Sequence, residues 1–180
     1  MRGNDLLTKR RALALALAPQ EIRTFFVSFA TAERKFLLQS DRLCELLPDV
    51  LRQSRLQKRF EVHEFVFMPN HVHMLLTPAP EVSLEKALQF IKGGFSFRAG
   101  KEFGFLGEVW QKGFNEHRIR DAADYRNHVE YIRMNPVKAG SVASAAEWQY
   151  SSARLTGEVD PSPAQFQRAS AKASSSLGFP

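Results

Sequence analysis

Phe60-Glu61-Val62-His63-Glu64-Phe65-Val66-Phe67-Met68-Pro69-Asn70-His71-Val72-His73-Met74-Leu75-Leu76-Thr77-Pro78 is the stretch on which the fold turns. Residues 60–67 are rich in aromatic and β-branched side chains and read as a strand. Pro69-Asn70 breaks it, residues 71–77 read as a second strand, and Pro78 closes that one. Two strands joined by so short a break predict an antiparallel hairpin. Side chains alternate along a strand, so His71 and His73 share one face and Val72 points to the other. Both imidazoles could approach one divalent ion. Two neutral imidazoles make an incomplete site, however, and a third ligand is needed. The pair is also compatible with two histidines on a solvated strand face. Glu64 and His63 are near in sequence, but which way they face is open.

Upstream, Thr24-Phe25-Phe26-Val27-Ser28-Phe29 predicts another strand. Asp41 can cap a helix running to about Arg59, with Leu43, Leu46, Leu47, Val50 and Leu51 on its buried face. Pro48 is expected to kink or split it. Downstream, Ser83 can cap a helix over roughly Leu84 to Phe95, which Gly93-Gly94 weakens at its far end. Glu108 to Arg120 reads as a strand or a long excursion. A last helix starts at Asp121 and should stop before Pro136. A loop carrying Trp148 and Tyr150 follows. The order strand, helix, strand, strand, helix, strand, helix predicts a small α+β domain. A ferredoxin-like arrangement fits, mostly antiparallel, with helices on one face.

The whole chain sets outer bounds. Its 180 residues suit one domain with tails. The organisation expected is an N-terminal extension at 1–20, one domain at 21–156, and a disordered tail rich in Ser, Ala and Pro at 157–180. Cys44 is the only cysteine, which excludes an intramolecular disulfide and a cysteine zinc cluster. It reads as a small buried residue of the helix. Lys9-Arg10-Arg11 precedes a run of only seven Ala and Leu residues. That run is read as a helical tail rather than a signal peptide. No stretch approaches the ~20 apolar residues of a membrane span, and a cytoplasmic, nucleoid-associated protein is expected. The net charge of +6 fits a polyanionic partner.

Helical phasing sorts the tyrosines of the segment 121–135. At about 100° per residue, Tyr125, Val129 and Ile132 fall within about 60° of one another and form the core-facing stripe. Tyr131 lies roughly 120° from Tyr125, on a polar face with Asp124, Asn127, His128 and Asn135. Asn135, one turn on, is its neighbour. A surface tyrosine packing its ring on neighbours satisfies the same pattern.

Several blocks together carry a resemblance. Residues 67–76, Phe-Met-Pro-Asn-His-Val-His-Met-Leu-Leu, look like the histidine motif of single-tyrosine HUH transposases. Gln89-Phe90-Ile91-Lys92-Gly93-Gly94-Phe95-Ser96, Trp110-Gln111-Lys112-Gly113-Phe114, Tyr131-Ile132-Arg133-Met134-Asn135-Pro136-Val137-Lys138-Ala139-Gly140 and Trp148-Gln149-Tyr150-Ser151-Ser152 resemble the later blocks in the same order. They span about residues 22 to 154 and resemble the REP-associated tyrosine transposases, of the IS200-like type. The resemblance implies a ferredoxin-like catalytic domain. It also implies Mg²⁺ or Mn²⁺ on His71 and His73, with Asn135 as candidate third ligand, and Tyr131 as nucleophile. Related transposases often have Asp where this chain has Asn70, a replacement that removes a charge.

The chemistry expected is metal-dependent cutting and joining of single-stranded or hairpin DNA through a 5′-phosphotyrosine intermediate. His128, one turn before Tyr131, is a candidate proton acceptor. Lys92, Arg98, Lys101, Lys112, Arg118, Arg120, Arg126 and Arg133 form a basic set for phosphate contacts. Trp110 is held open as a stacking platform for an unpaired base. Phe95, Phe97 and Phe114 are read mainly as packing residues. A module that binds hairpin DNA or RNA without cutting is the competing reading, but it leaves the histidine pair unexplained. Monomer and homodimer both stay open.

Overall fold

The computed structural model describes residues 22–167. The expected N-terminal extension and the last part of the tail lie outside them. Four strands form one sheet: β1 Phe25–Ala30, β2 Phe60–Met68, β3 His71–Pro78 and β4 Asn115–Arg118. Their order is β2-β3-β1-β4, and every pairing is antiparallel. With helices after β1 and β3, that is the expected ferredoxin-like α+β arrangement. The Pro69-Asn70 break does make a hairpin, pairing Met68 with His71 and Val66 with His73.

The helices are α1 Asp41–Leu56, α2 Leu84–Phe103, α3 Ala122–Lys138 and the short α4 Ala164–Gln167. The main core holds Val27, Phe29, Phe65, Phe67, Val72, Met74 and Leu76 of the sheet with Leu47, Leu51, Leu88 and Ile91 of α1 and α2. These two helices lie on one face, as expected. A smaller cluster joins Val66, Met68 and Leu75 to Tyr125 and Ile132 of α3, so α3 covers the opposite face. The sheet is sandwiched, and the His71, His73, Leu75 side of β3 faces α3.

β2 changes phase on the way. The register shifts between Val62 and Glu64. Before the shift Phe60 and Val62 face the main core; after it Phe65 and Phe67 do. Such a bulge re-aims side chains, and it turns Glu64 toward α3, which alternation alone could not foresee.

Three helices differ from expectation. α1 runs through Pro48 as one helix. α2 does not fade at Gly93-Gly94 but continues to Phe103 and ends at Gly104, in the left-handed region at φ 65°. Gly94 instead lets two helices meet, since a Cβ there would stand 3.3 Å from Val50 Cγ1. α3 passes Pro136 and reaches Lys138. A proline so near the end removes a single intrahelical donor. The end is then closed by Gly140 N–H to Val137 C=O at 2.9 Å and Ser141 N–H to Pro136 C=O at 2.9 Å. With Gly140 at φ 69°, this is the Schellman arrangement, which takes up carbonyls the helix leaves open.

The chain is also packed further than residue 156. Asp160 accepts from Arg55 Nη2 at 2.7 Å, Arg55 Nε at 2.8 Å and Val62 N–H at 2.8 Å. Phe166 is buried and stacks on Tyr125 at 5.1 Å. Composition pointed to disorder from Gly157, but one carboxylate and one ring dock residues 157–167. The 148–152 segment shields the free edge of β2: Phe67 N–H donates to Tyr150 C=O, and Trp148 Nε1 donates to Phe67 C=O at 3.0 Å.

Candidate active site

β3 presents His71 and His73 side by side, ring centroids 4.8 Å apart. α3 crosses over them and sets the Tyr131 ring edge-on to His73 at 5.3 Å. Phe26 of β1 packs against both rings. Its ring stacks on His73 at 5.5 Å and meets Tyr131 at 5.7 Å. Tyr131 is 41% exposed while Ile132 beside it is fully buried, as the helical phasing required. Lys138 Nζ stands 5.8 Å from the Tyr131 ring.

Both imidazoles are held toward the neutral form. Burial pushes His73 down to about 4, and the neighbouring His71 adds to the shift. Burial also lowers His71; a hydrogen bond with Asn135 opposes this and the Arg34 charge reinforces it. Asn135 thus reaches the His71 ring from α3. Asn70 Oδ1 lies 2.7 Å from His71 Nδ1. A carbonyl oxygen accepts, so Nδ1 carries the hydrogen and Nε2 keeps its lone pair, the device that orients histidine ligands. That contact gives position 70 a role for which an uncharged amide suffices. His73 Nδ1 is buried without a hydrogen-bond partner among the described residues. A buried orphan of this kind costs about 1–3 kcal/mol, which a bound cation would remove. Two neutral imidazoles, one orphaned nitrogen and an adjacent amide oxygen suit a divalent ion.

These groups open on a cleft of about 520 Å³ whose lining includes Arg34, His71, His73, Lys112, Asn115 and Tyr131. Arg34 was not singled out from sequence. It follows β1 in a turn where Glu33 and Arg34 both sit at φ 53°, a conformation non-glycine residues seldom adopt. A single arginine in a charged stretch gives no signal of this placement.

The basic residues divide. Lys112 lines the cleft. Lys92 donates to Gln111 C=O at 2.9 Å and Gly113 C=O at 2.8 Å, so it ties down the loop that carries Lys112. Arg98 is ion-paired with Asp49 and Glu102 in the α1–α2 layer, and Lys101 lies over Phe97 in that layer. Arg133 is bound to Glu64. Arg118 and Arg120 follow His117 at the end of β4 and line one pocket with it, and Arg126 is exposed on α3. Trp110 is only 8% exposed. Its ring packs against Phe29 and Phe95, and its Nε1 donates to Lys92 C=O at 3.0 Å. It serves the core rather than offering a free stacking face, because the buried indole needed a partner and found one at Lys92. His128 has its Nδ1 on Asp124, 2.9 Å from the backbone carbonyl, and packs on Phe26 at 4.7 Å.

No helix among the described residues is long and apolar enough to cross a membrane. The family model described as "Transposase IS200 like" matches residues 24–135. A REP-associated tyrosine transposase of Escherichia coli K12 is 32% identical over 129 residues, covering 71% of this chain and 74% of that one. A protein of Haemophilus influenzae is 29% identical over 133 residues, covering 64% and 76%. A solved structure described as a REP-associated tyrosine transposase bound to a REP hairpin superposes with a TM-score of 0.64 at 29% identity, over 77% of this chain and 82% of that chain. With the sandwiched sheet and the crossing of α3 over β3 in place, the chain belongs to the IS200-like transposase family and, within it, to the REP-associated tyrosine transposases.

Proposed function

We propose that this transposase nicks and rejoins single-stranded DNA beside a hairpin, with Tyr131 as the nucleophile. One observation carries the reading: α3 sets an accessible tyrosine 5.3 Å from His73 and places Asn135 against His71. Residues more than fifty positions apart in sequence are thereby gathered at one cleft. The relative solved with a bound REP hairpin supports hairpin DNA as the substrate class.

The tyrosine oxygen attacks a backbone phosphorus. A phosphorus–oxygen bond to tyrosine forms as the bond to the 3′ oxygen breaks. The phenol proton leaves, and the 3′ oxygen takes up a proton as 3′-OH. The 5′ end stays on the protein. Because one ester replaces another, the 3′-OH of a second end can reverse the step and join strands. A phenol is mostly protonated at neutral pH, and the exposure of Tyr131 gives its proton a route to solvent. His71, His73 and Asn135 would hold Mg²⁺ or Mn²⁺, which supplies Lewis-acid charge to a phosphate oxygen when bound. Arg34 and Lys112, on the cleft lining, would hold the flanking phosphates and keep the scissile bond in line with the phenol. Arg118, Arg120 and Arg126 would extend the phosphate contacts beyond the cleft.

The test uses a panel of REP-type hairpin oligonucleotides with varied single-stranded flanks, incubated with protein and Mn²⁺ and resolved on a denaturing gel. A protein–DNA adduct is expected, lost with chelator and in Tyr131→Phe. An adduct that survives in Tyr131→Phe overturns the nucleophile. Free 5′-phosphate ends without an adduct would replace strand transfer by hydrolysis, and tight hairpin binding without cleavage under any metal would favour a binding module.

A further inference from the structure

Accounting for all five histidines exposes a second cluster. His63 is spent inside the fold, Nδ1 on Pro161 C=O and Nε2 on Thr77 Oγ1, each at 2.8 Å. His71 and His73 belong to the cleft. The other two, His117 of β4 and His128 of α3, share a carboxylate. His117 Nε2 is 2.9 Å from Asp124 Oδ2, and His128 Nδ1 is 3.1 Å from Asp124 Oδ1. The imidazoles stack, centroids 4.9 Å apart and planes within 18°. We propose that His117, Asp124 and His128 form a second metal site, which takes a divalent transition ion of the Zn²⁺ class.

The geometry supports this in three ways. One potential ligand atom from each residue lies within 4.8 Å of the others. Around an ion with ligands at 2.0–2.2 Å, neighbouring ligand atoms stand about 3.3 Å apart, so the ligand atoms must close by up to about 1.5 Å and the stacked rings must turn to aim their in-plane lone pairs at one ion. The donor set of two imidazoles and one carboxylate suits Zn²⁺, Co²⁺ or Ni²⁺ better than Mg²⁺, which takes mainly oxygen ligands. The side chains are 37%, 20% and 22% exposed, so an ion and its remaining water ligands can enter from solvent. The metal-free cluster is held by hydrogen bonds instead. Binding would shift the ring protons off the ligating nitrogens and release any that cannot stay on the ring. The ion would also staple β4 to the helix that carries Tyr131, three residues past His128.

The site is independent of the strand-transfer reading, and its test uses no DNA. The untagged full-length chain is stripped with chelator and titrated with Co²⁺, following visible absorption and bound equivalents. In His71→Ala/His73→Ala the first cluster is gone, and one Co²⁺ per chain with tetrahedral or five-coordinate bands is expected. Adding His117→Gln should weaken that binding by more than about tenfold. No Co²⁺ in the double variant, or binding unmoved by His117→Gln, overturns the proposal. Should circular dichroism show that the double variant does not fold, wild type and His117→Gln are compared directly. Since His117 sits on an exposed edge strand, that variant should fold, and it must bind one equivalent fewer; equal stoichiometry refutes the site.

Discussion

Arg133 was expected on DNA, and the fold gives it to Glu64. Glu64 is 2% exposed. Its Oε2 accepts from Arg133 Nη2 at 2.9 Å and Nε at 3.1 Å, and its other oxygen takes the Ser152 hydroxyl. Arg133→Ala would leave a buried carboxylate with one hydroxyl donor. Breaking a fully buried pair from one side costs about 3–5 kcal/mol. The Arg133 side chain is 52% exposed, so water can occupy part of the space it leaves, and about 1.5–3 kcal/mol is expected. In a protein of this size that lowers the melting temperature by roughly 4–10 °C. Urea denaturation reads the free energy directly, and hairpin affinity is measured below the transition at several salt concentrations. The clamp predicts the stability loss with a salt slope unchanged. A stability change under about 0.5 kcal/mol, with a slope reduced by about one, would refute the clamp and restore Arg133 to the phosphates.

Acid should weaken the metal-free protein through His73. Its folded value of about 4 lies below an unfolded value near 6.5. Between these the unfolded chain binds the extra proton, so this stability is complete above pH 6.5 and lost as pH falls toward 4. The loss is about 3 kcal/mol at most, read as the difference in urea midpoint between wild type and His73→Asn across that window; parallel curves would contradict it. Trp110→Ala should destabilise by about 3–5 kcal/mol, whereas Trp110→Phe should bind hairpin DNA like wild type once folded, by fluorescence anisotropy. A many-fold affinity loss in the folded Phe variant would return Trp110 to the DNA surface. Lys92→Met should free the loop at 111–113, costing about 1–3 kcal/mol and slowing cleavage through Lys112; unchanged cleavage kinetics would deny the loop tie.

The sheet was legible because its signals are local. Alternation in residues 60–77 and the Pro69-Asn70 break give the hairpin and the shared face of His71 and His73. Phasing of the 121–135 helix separates buried Tyr125 from exposed Tyr131. What escaped depends on contacts between distant segments. The face chosen by α3 rests on its docking against Val66, Met68 and Leu75, so a helix that looks like one more layer on a common face covers the other side. The turn of Glu64 toward Arg133 rests on a bulge. Packing of residues 157–167 rests on Asp160 finding Arg55, invisible in a Ser- and Pro-rich composition. Arg34 enters the cleft through a left-handed turn that residue type does not announce. Basic residues looked alike in sequence, yet Arg98, Lys92 and Arg133 are occupied by protein partners.

Placing α3 on its own face has a chemical consequence. The candidate nucleophile and ligands lie on different elements, so their registry is only as good as the packing between α3 and the sheet. Ile132, fully buried, adjoins Tyr131, and Leu75, fully buried, lies two residues past His73 on the same face of β3. Both belong to the smaller apolar cluster. A slip of α3 by one residue would rotate Tyr131 by about 100° and bring a buried side chain out into water. The burial that specifies the helix therefore also specifies the distance from tyrosine to histidine. Glu64 with Arg133 fixes that registry on one side of the cluster. On the other, His117, Asp124 and His128 tie the start of α3 to β4, and an ion there would tighten the same alignment from outside the cleft.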